Sequence, residues 1–470
     1  MGGYNASFWS FAPIGPYLAV IPYTTNAAVT GPYLWSNAGA NSKLQVPAGA
    51  PGCRVGATVG QFLMLGDLFE QQTQALFTPT GSQSSFSGTL SAPVADGGTI
   101  YDQNGALSGT MANGSITGTG DLASGTVNYA TGAITLTFGT DPPSGDIVTA
   151  KYTQVVPYRV WWSAIGDPTN WPTPDTDAAI AAQSSFEDLN PDSGQVMFIA
   201  GYPLYALIFQ RFGITRANYV GGDTVFDFAP YEFTHGVIAH GAAAQVNSLV
   251  FFLADDGFFV TDGANVIPIG TDAENSQGID NWLWANINMG ALEAIRSGYD
   301  AAKRCVFFAI ATGTNTLPDT LLSYNPLARK WTRSLVACET IWSADNGTDA
   351  FPPTRQLLGI IDQTHTPNTL SGSPLTGYLE SADIYFVDGS RRLTVGVRPN
   401  VSCTDDPLCT VGARDSLEDA VTYGSGATPD AFTRIADALS SGMYTRVRIQ
   451  SDSATALKGG TLYLEQDSPV

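Results

Sequence analysis

Charge is what this sequence has least of. Only 13% of its 470 residues are Asp, Glu, Lys or Arg, about half the roughly 25% usual for soluble globular domains. Lys and Arg together number 21, and none of them lies between Arg54 and Lys151. Binding nucleic acid through its phosphates requires a basic face, and a net charge of -21 argues strongly against one. Histidine is scarcer still, at three residues: His235, His240 and His365. His235 and His240 are five apart with no Glu at the metalloprotease position, so that zinc motif is absent. The five cysteines include no Cys-X-X-Cys pair and no neighbouring histidine, which leaves zinc short of ligands. Only Cys403 and Cys409 are close in sequence; a disulfide between them and two separate thiols are both open readings. Long apolar runs are also missing. The longest, residues 196–209, is interrupted by Gly201 and Pro203 and reads as two strands around a turn rather than a membrane span. The N-terminus lacks a basic region followed by an apolar core, so no signal peptide is expected, and a soluble protein made inside a cell is.

What is present is apolar and turn-rich: 44% hydrophobic residues, 50 Gly and 28 Pro. That mixture is the opposite of a disordered chain. Most of it reads as short strands separated by turn chemistry. Ser248 to Leu253, then Asp255-Asp256-Gly257, then Phe258-Phe259-Val260, then Thr261-Asp262-Gly263 is two Asp-Gly hairpins in succession. Sheets of about four such strands recurring at roughly 40–50 residues are the mark of propeller blades, with starts expected near Gly194, Ala243, Ile295 and Thr354. The expected fold class is therefore all-β: a β-propeller with an inserted small β-sandwich and a minor C-terminal α/β segment. The insert is residues 71–157, rich in Gly, Ser and Thr. It separates Gln61–Leu65 from Tyr158–Trp162, which look like hairpin partners. Residues 1–70 are read as N-terminal propeller strands, 158–395 as the main blades and 396–470 as a closing or platform segment. Helices are expected at 280–286, 290–295 and 429–439, the last with Pro429 and Asp430 at its start.

No catalytic constellation emerges. The hydrolase elbow and the phosphate-binding loop are both missing, and Gly118-Thr-Gly120 sits in a β segment with no helix to follow. The pairs Asp255–Asp256, Asp175–Asp177 and Asp405–Asp406 read as turn residues rather than as the two carboxylates of a glycosidase. No catalytic, cofactor-binding or metal-binding residue is assigned, and no cofactor is expected. The distribution of acids says more. Between Trp161 and Asp300 there are 17 Asp or Glu against Arg211, Arg216 and Arg296, whereas Arg391, Arg392, Arg398, Arg446 and Arg448 cluster near the C-terminus. Solvated turns explain the asymmetry simply. A sharper reading is an acidic surface that lets a polyanion slide past, with Asp223, Asp227, Asp255, Asp256 and Asp262 as candidate channel-lining residues and Arg kept for protein contacts.

One stretch carries a family resemblance. Tyr158-Arg-Val-Trp-Trp-Ser-Ala-Ile-Gly-Asp-Pro-Thr-Asn-Trp171, then Tyr205 to Arg216, Val250 to Gly263 and Ile269 to Glu274, in that order, resemble the tail nozzle (tail hub, or tail tubular) proteins of short-tailed bacteriophages. The resemblance covers 158 to about 345 well and the C-terminal region loosely. It implies a propeller subunit of the virion tail, assembling with itself as a six-fold ring below a tail adaptor protein. Such a ring gives a channel through which double-stranded DNA passes without specific binding, and a platform for tail fibre proteins. The insert resembles small β modules of phage tail proteins and is expected at the tip, on a fibre or against the host surface. The alternatives are a receptor- or glycan-binding tail protein and, behind it, a propeller-fold glycan hydrolase.

Overall fold

The computed structural model describes residues 8–23, 31–36, 44–105, 107–271, 278–301, 303–345, 356–369, 377–385, 390–402, 406–451 and 456–466. The chain divides into two compact units, residues 1–370 and 371–470. The first is mostly β, and its described residues form six antiparallel sheets that follow one another along the chain. Their strands, in chain order, begin with Phe8–Ile14, Tyr17–Tyr23 and Tyr33–Ser36 in the first sheet. The second has Gly52–Val59, Phe62–Phe77, Val148–Trp162 and Ser185–Asp188. The third has Val196–Gly201, Tyr205–Gln210, Ile214–Gly221 and Val225–Glu232. The fourth has Ala243–Val246, Leu249–Leu253, Phe258–Thr261 and Val266–Pro268. The fifth has Arg296–Asp300, Cys305–Ile310, Thr320–Asn325 and Lys330–Leu335. The sixth, Thr340–Asp345, Gln356–Ile361 and Pro367–Thr369, begins at Thr340; its expected start at Thr354 lies outside the described residues.

Hydrophobic patterning dictates how these sheets stack. Strands such as Leu249–Leu253 and Cys305–Ile310 are apolar on both faces and buried on both, as expected of a sheet sandwiched between neighbours. One core joins the first and second sheets through Ile21, Leu34, Leu63 and Leu65. Another joins the second and third through Met64, Trp162, Ile208 and Phe226. Phe209, Phe252, Phe258 and Phe308 fill the third to fifth, and Phe307, Ile341 and Leu358 the fifth and sixth. The first strand of each of these six sheets contributes to the wall of one central cavity. Because successive strands run antiparallel, the turn after each second strand and the link to the next sheet lie at one end of that cavity. The turns after the first and third strands lie at the other.

Residues 78–147 leave the second sheet at the former end. The strands Phe62–Phe77 and Val148–Trp162 pair along nearly their whole length, with Leu65 opposite Trp161 and Met64 opposite Trp162, the hairpin partners read from sequence. Both strands then continue outward as part of the inserted module, so the expected boundaries at 70/71 and 157/158 fall inside continuous strands. The module is not two stacked sheets. It is one sheet running Phe62–Phe77, Val148–Trp162, Val94–Asp102, Leu107–Ala112, Ser115–Gly120, Leu122–Val127, Ala133–Phe138 and Ser85–Thr89. It curls around its own core of Ile100, Met111, Ile116, Ile134, Leu136 and Tyr152. Its two ends meet where Phe77 stacks on Phe86, with ring centroids 4.3 Å apart. Strict alternation of exposed Ser or Thr with buried aliphatics, as in Ala133–Phe138, fixes which face turns inward. Since this core is separate from the others, a protein in which 72–152 is replaced by Asn-Gly, joining the paired residues Gln71 and Thr153, should remain soluble and folded. A chain recovered only in aggregates, or without its near-UV aromatic signal, would show that the module is needed for the main body.

The second unit holds a sheet of Gly377–Glu380, Ile384–Tyr385, Leu408–Arg414, Thr422–Tyr423 and Tyr444–Ser451, and another of Arg392–Ser402, Ser440–Gly442 and Ala456–Gln466. The expected boundary at 395/396 falls within its strand Arg392–Ser402. It contains no helix among the described residues, which corrects the expected α/β character. Asp430 does accept hydrogen bonds from the Phe432 and Thr433 N–H groups, as an N-cap would. The turn stops there, because Ala436 exchanges two backbone hydrogen bonds with Val397. The other expected helices are present, at Ile279–Asn286 and as a 3-10 segment at Met289–Ala294.

Candidate functional site

The central cavity has a volume of about 190 Å³, and a cluster of buried and half-buried charges stands at it. The cluster begins with a proline. Pro157 has no N–H to give a sheet ladder, and around it three residues, 157 to 159, lie opposite one, Asp67, in a bulge between the Val156–Leu68 and Val160–Gly66 pairs. Asp67 takes up the irregularity with a left-handed φ of 52°, a conformation that Asp tolerates better than most residues. On its other side the register sets Asp67 opposite Arg54, between the Cys53–Leu68 and Val55–Gly66 pairs. Arg54 Nη1 donates to both carboxylate oxygens at 3.1 and 3.0 Å.

His240 arrives from the link between the third and fourth sheets. Its neighbour Gly241 lies so close to the fifth sheet that a Cβ there would sit 2.0 Å from the Ile295 carbonyl oxygen, so only glycine permits the approach. The imidazole Nε2 is 3.1 Å from Asp67 Oδ2, and Nδ1 is 3.3 Å from each oxygen of Glu293. With a carboxylate at each nitrogen, both must donate, which requires the imidazolium form. Burial opposes that charge, but the hydrogen bonds to Asp67 and Glu293 outweigh it and raise the His240 pKa. Burial likewise favours the neutral form of Glu293, yet the bonds to His240 and Tyr23 hold its pKa below the usual value. The Tyr23 ring packs tilted against His240, with ring centroids 4.5 Å apart. Arg296, its pKa pushed down to about 10 by burial, donates through Nη1 to the Glu293 and Ile295 carbonyl oxygens at 2.6 Å. Two charged side chains of the second sheet, one of the fifth, His240 from the link before the fourth and Glu293 from the 3-10 segment, with a tyrosine of the first sheet, thus meet at one point.

None of the five acids proposed from sequence lines this cavity. All five are exposed, and they divide between the two ends. Asp223 and Asp262 occupy turns after third strands, with Asp227 just beyond the first of these turns. Asp255 and Asp256 occupy a turn after a second strand, at the opposite end. Asp262 caps its own turn through the Ala264 and Asn265 N–H groups at 2.9 Å, and those bonds lower its pKa. Asp255 pairs with Arg211 at 2.5 Å, and Asp256 lies 3.2 Å from His235. Among the described residues no group of three or more His, Cys, Asp or Glu could hold a metal ion, and no helix is long and apolar enough to cross a membrane. Cys53, Cys338 and Cys409 are buried thiols; Cys403 lies outside the described residues. In the second unit, Arg446 pairs with Asp383 at 2.8 Å, Arg448 with Glu380 at 2.6 Å and Arg391 with Asp415 at 2.6 Å, all within the unit.

The sequence reading passed over Arg54, Asp67, His240, Glu293 and Arg296. Asp67 and His240 are 173 positions apart, and no local motif joins them.

No family model matches this chain, and no curated protein does. Distant matches occur among solved structures. Dihydro-heme d1 dehydrogenase NirN in complex with DHE aligns at 12% identity with a TM-score of 0.23, over 77% of this chain and 68% of that one. The extracellular domain of BT4673 from B. thetaiotaomicron aligns at 8% identity with a TM-score of 0.19, over 92% and 86%. At these scores neither match adds to what the residues themselves show.

Proposed function

We propose that the protein is a structural subunit of a phage virion tail: a six-bladed β-propeller that assembles as a homo-oligomeric nozzle, a channel for genome exit and a platform for fibres. The observation that carries this reading is the order of the strand-and-turn segments that resemble the nozzle family, together with where they fall. Tyr158–Trp162 is the inner half of the third strand of the second sheet. Tyr205–Arg216 spans the second and third strands of the third sheet, and Val250–Gly263 the same two strands of the fourth. The last two segments thus fall on the same pair of strands in successive blades, and the first on the third strand of the blade before them. The acidic turns also suit a passage for DNA, since neutralising phosphates releases counterions and holds the duplex. Exposed Asp223, Asp227 and Asp262 toward one end of the third and fourth blades would repel it instead.

The reading predicts a closed ring of identical subunits, joined by heterologous contacts between different faces. Negative-stain images of the purified protein at increasing concentration should show six-fold rings with an open centre. A protein that stays monomeric or forms only trimers would overturn the nozzle assignment and favour a spike.

A further inference from the structure

The basic side chains of this protein are few, and their placement around the central cavity is not what scarcity would produce by chance. Lys and Arg number 21 and His three, yet Arg54, Arg296 and His240 all line the one cavity of about 190 Å³. No Asp or Glu is in that lining, although acids outnumber Lys and Arg two to one, at 42 to 21, across the chain. The carboxylates that hold the cluster stand behind the cations: Asp67 bridges Arg54 and His240, and Glu293 takes the far nitrogen of His240. Ser10, Ser297 and Thr340 add hydroxyl groups to the wall.

We propose that the central cavity is a binding site for a small oxyanion of the phosphate or sulfate class, held by the guanidinium groups of Arg54 and Arg296, attracted by the positive charge of His240, and oriented by the hydroxyls of Ser10 and Thr340. A guanidinium presents its donors in a fork that matches such oxygens, and in a water-poor interior an ion–ion attraction is far stronger than at the surface. Space is ample, since roughly 10–15 Å³ admits one water molecule. There is also a way in. A wider opening of about 810 Å³, lined by Tyr23, Arg211, Glu293 and Glu339, shares Met197 and Arg296 with the cavity. Glu293 and Glu339 stand at the approach beside Arg211, and the narrow inner cavity admits a small ion and not a polyanion such as DNA. The site does not depend on the virion reading and stands or falls separately from it.

The test is thermal unfolding of the full chain in low-salt buffer at pH 6, titrated with sodium phosphate and sodium sulfate against sodium chloride at equal ionic strength. The expected result is a saturable rise in melting temperature with the two oxyanions and a much smaller rise with chloride. In Arg296→Met the half-saturating concentration should rise at least about tenfold, and Arg296→Lys should recover part of that loss. Because Arg296 is buried and its loss can prevent folding, Thr340→Val provides a second reading: it keeps the shape, removes one hydroxyl, and should weaken binding several-fold. Selenate soaked into crystals should give its anomalous peak between Arg54, Arg296 and His240. Equal responses to chloride, half-saturation unchanged across the variants, or a selenate peak only at the surface would each overturn the proposal.

Discussion

Asp67→Asn should destabilise the protein by about 3–5 kcal/mol, the cost of leaving buried cations without their counter-charge. Asp67 is fully buried and is the shared acceptor of Arg54 and His240. The asparagine side chain has the same shape and also tolerates a left-handed φ, so the bulge survives and only the charge is lost. The measurement is the urea midpoint followed by tryptophan fluorescence, with Asp223→Asn as control. That exposed turn position should move stability by no more than about 0.5 kcal/mol. If the two variants proved equally stable, the cluster would be incidental to the fold.

The second expectation concerns pH and follows from the same cluster. His240 has a folded pKa above its unfolded value near 6.5. Its contribution to stability is therefore fully present below pH 6.5 and is lost as pH rises through the folded value. Glu293 works in the opposite sense: its folded pKa lies below 4.5, so its contribution is present above that value and is lost as pH falls through the folded one. Arg296, whose pKa burial lowers only to about 10, and Tyr23, whose pKa burial raises, keep one charge state through neutral pH. Stability plotted against pH should fall on the alkaline side, and His240→Gln should remove most of that fall. In Asp67→Asn the fall should move to lower pH, because one of the two carboxylates holding the proton is gone. A wild-type profile flat from pH 6 to 9 would show that His240 keeps one protonation state throughout.

The sequence showed the parts of this fold that chemistry writes locally. Asp255-Asp256-Gly257 marks a turn because Asp and Gly suit turn geometry wherever they occur, and the starts near Gly194, Ala243 and Ile295 lie within two residues of sheets beginning at Val196, Ala243 and Arg296. The pairing of Leu65 with Trp161 was legible across 96 positions because both segments read as strands flanking an insert of different composition. Competition was not legible. Pro429 and Asp430 open a turn as they should, but the backbone of Ala436 is taken by Val397, a partner that no window around residue 430 contains. The charged cluster was hidden for the same reason, with one addition. His240 looked ordinary because its meaning depends on a bulge that Pro157 creates at Asp67, in another sheet.

The continuity of Phe62–Phe77 and Val148–Trp162 has a mechanical consequence. A tensile load applied to the module draws both strands the same way, lengthwise against Gly52–Val59 on one side and Ser185–Asp188 on the other. Ladder hydrogen bonds loaded in shear yield together rather than one at a time, so this joint resists pulling better than a flexible tether would. Asp67 lies on the loaded strand, and any slip there would be felt first as a strained grip on His240 and Arg54. The protein is built so that a tug on its outermost part arrives at its centre.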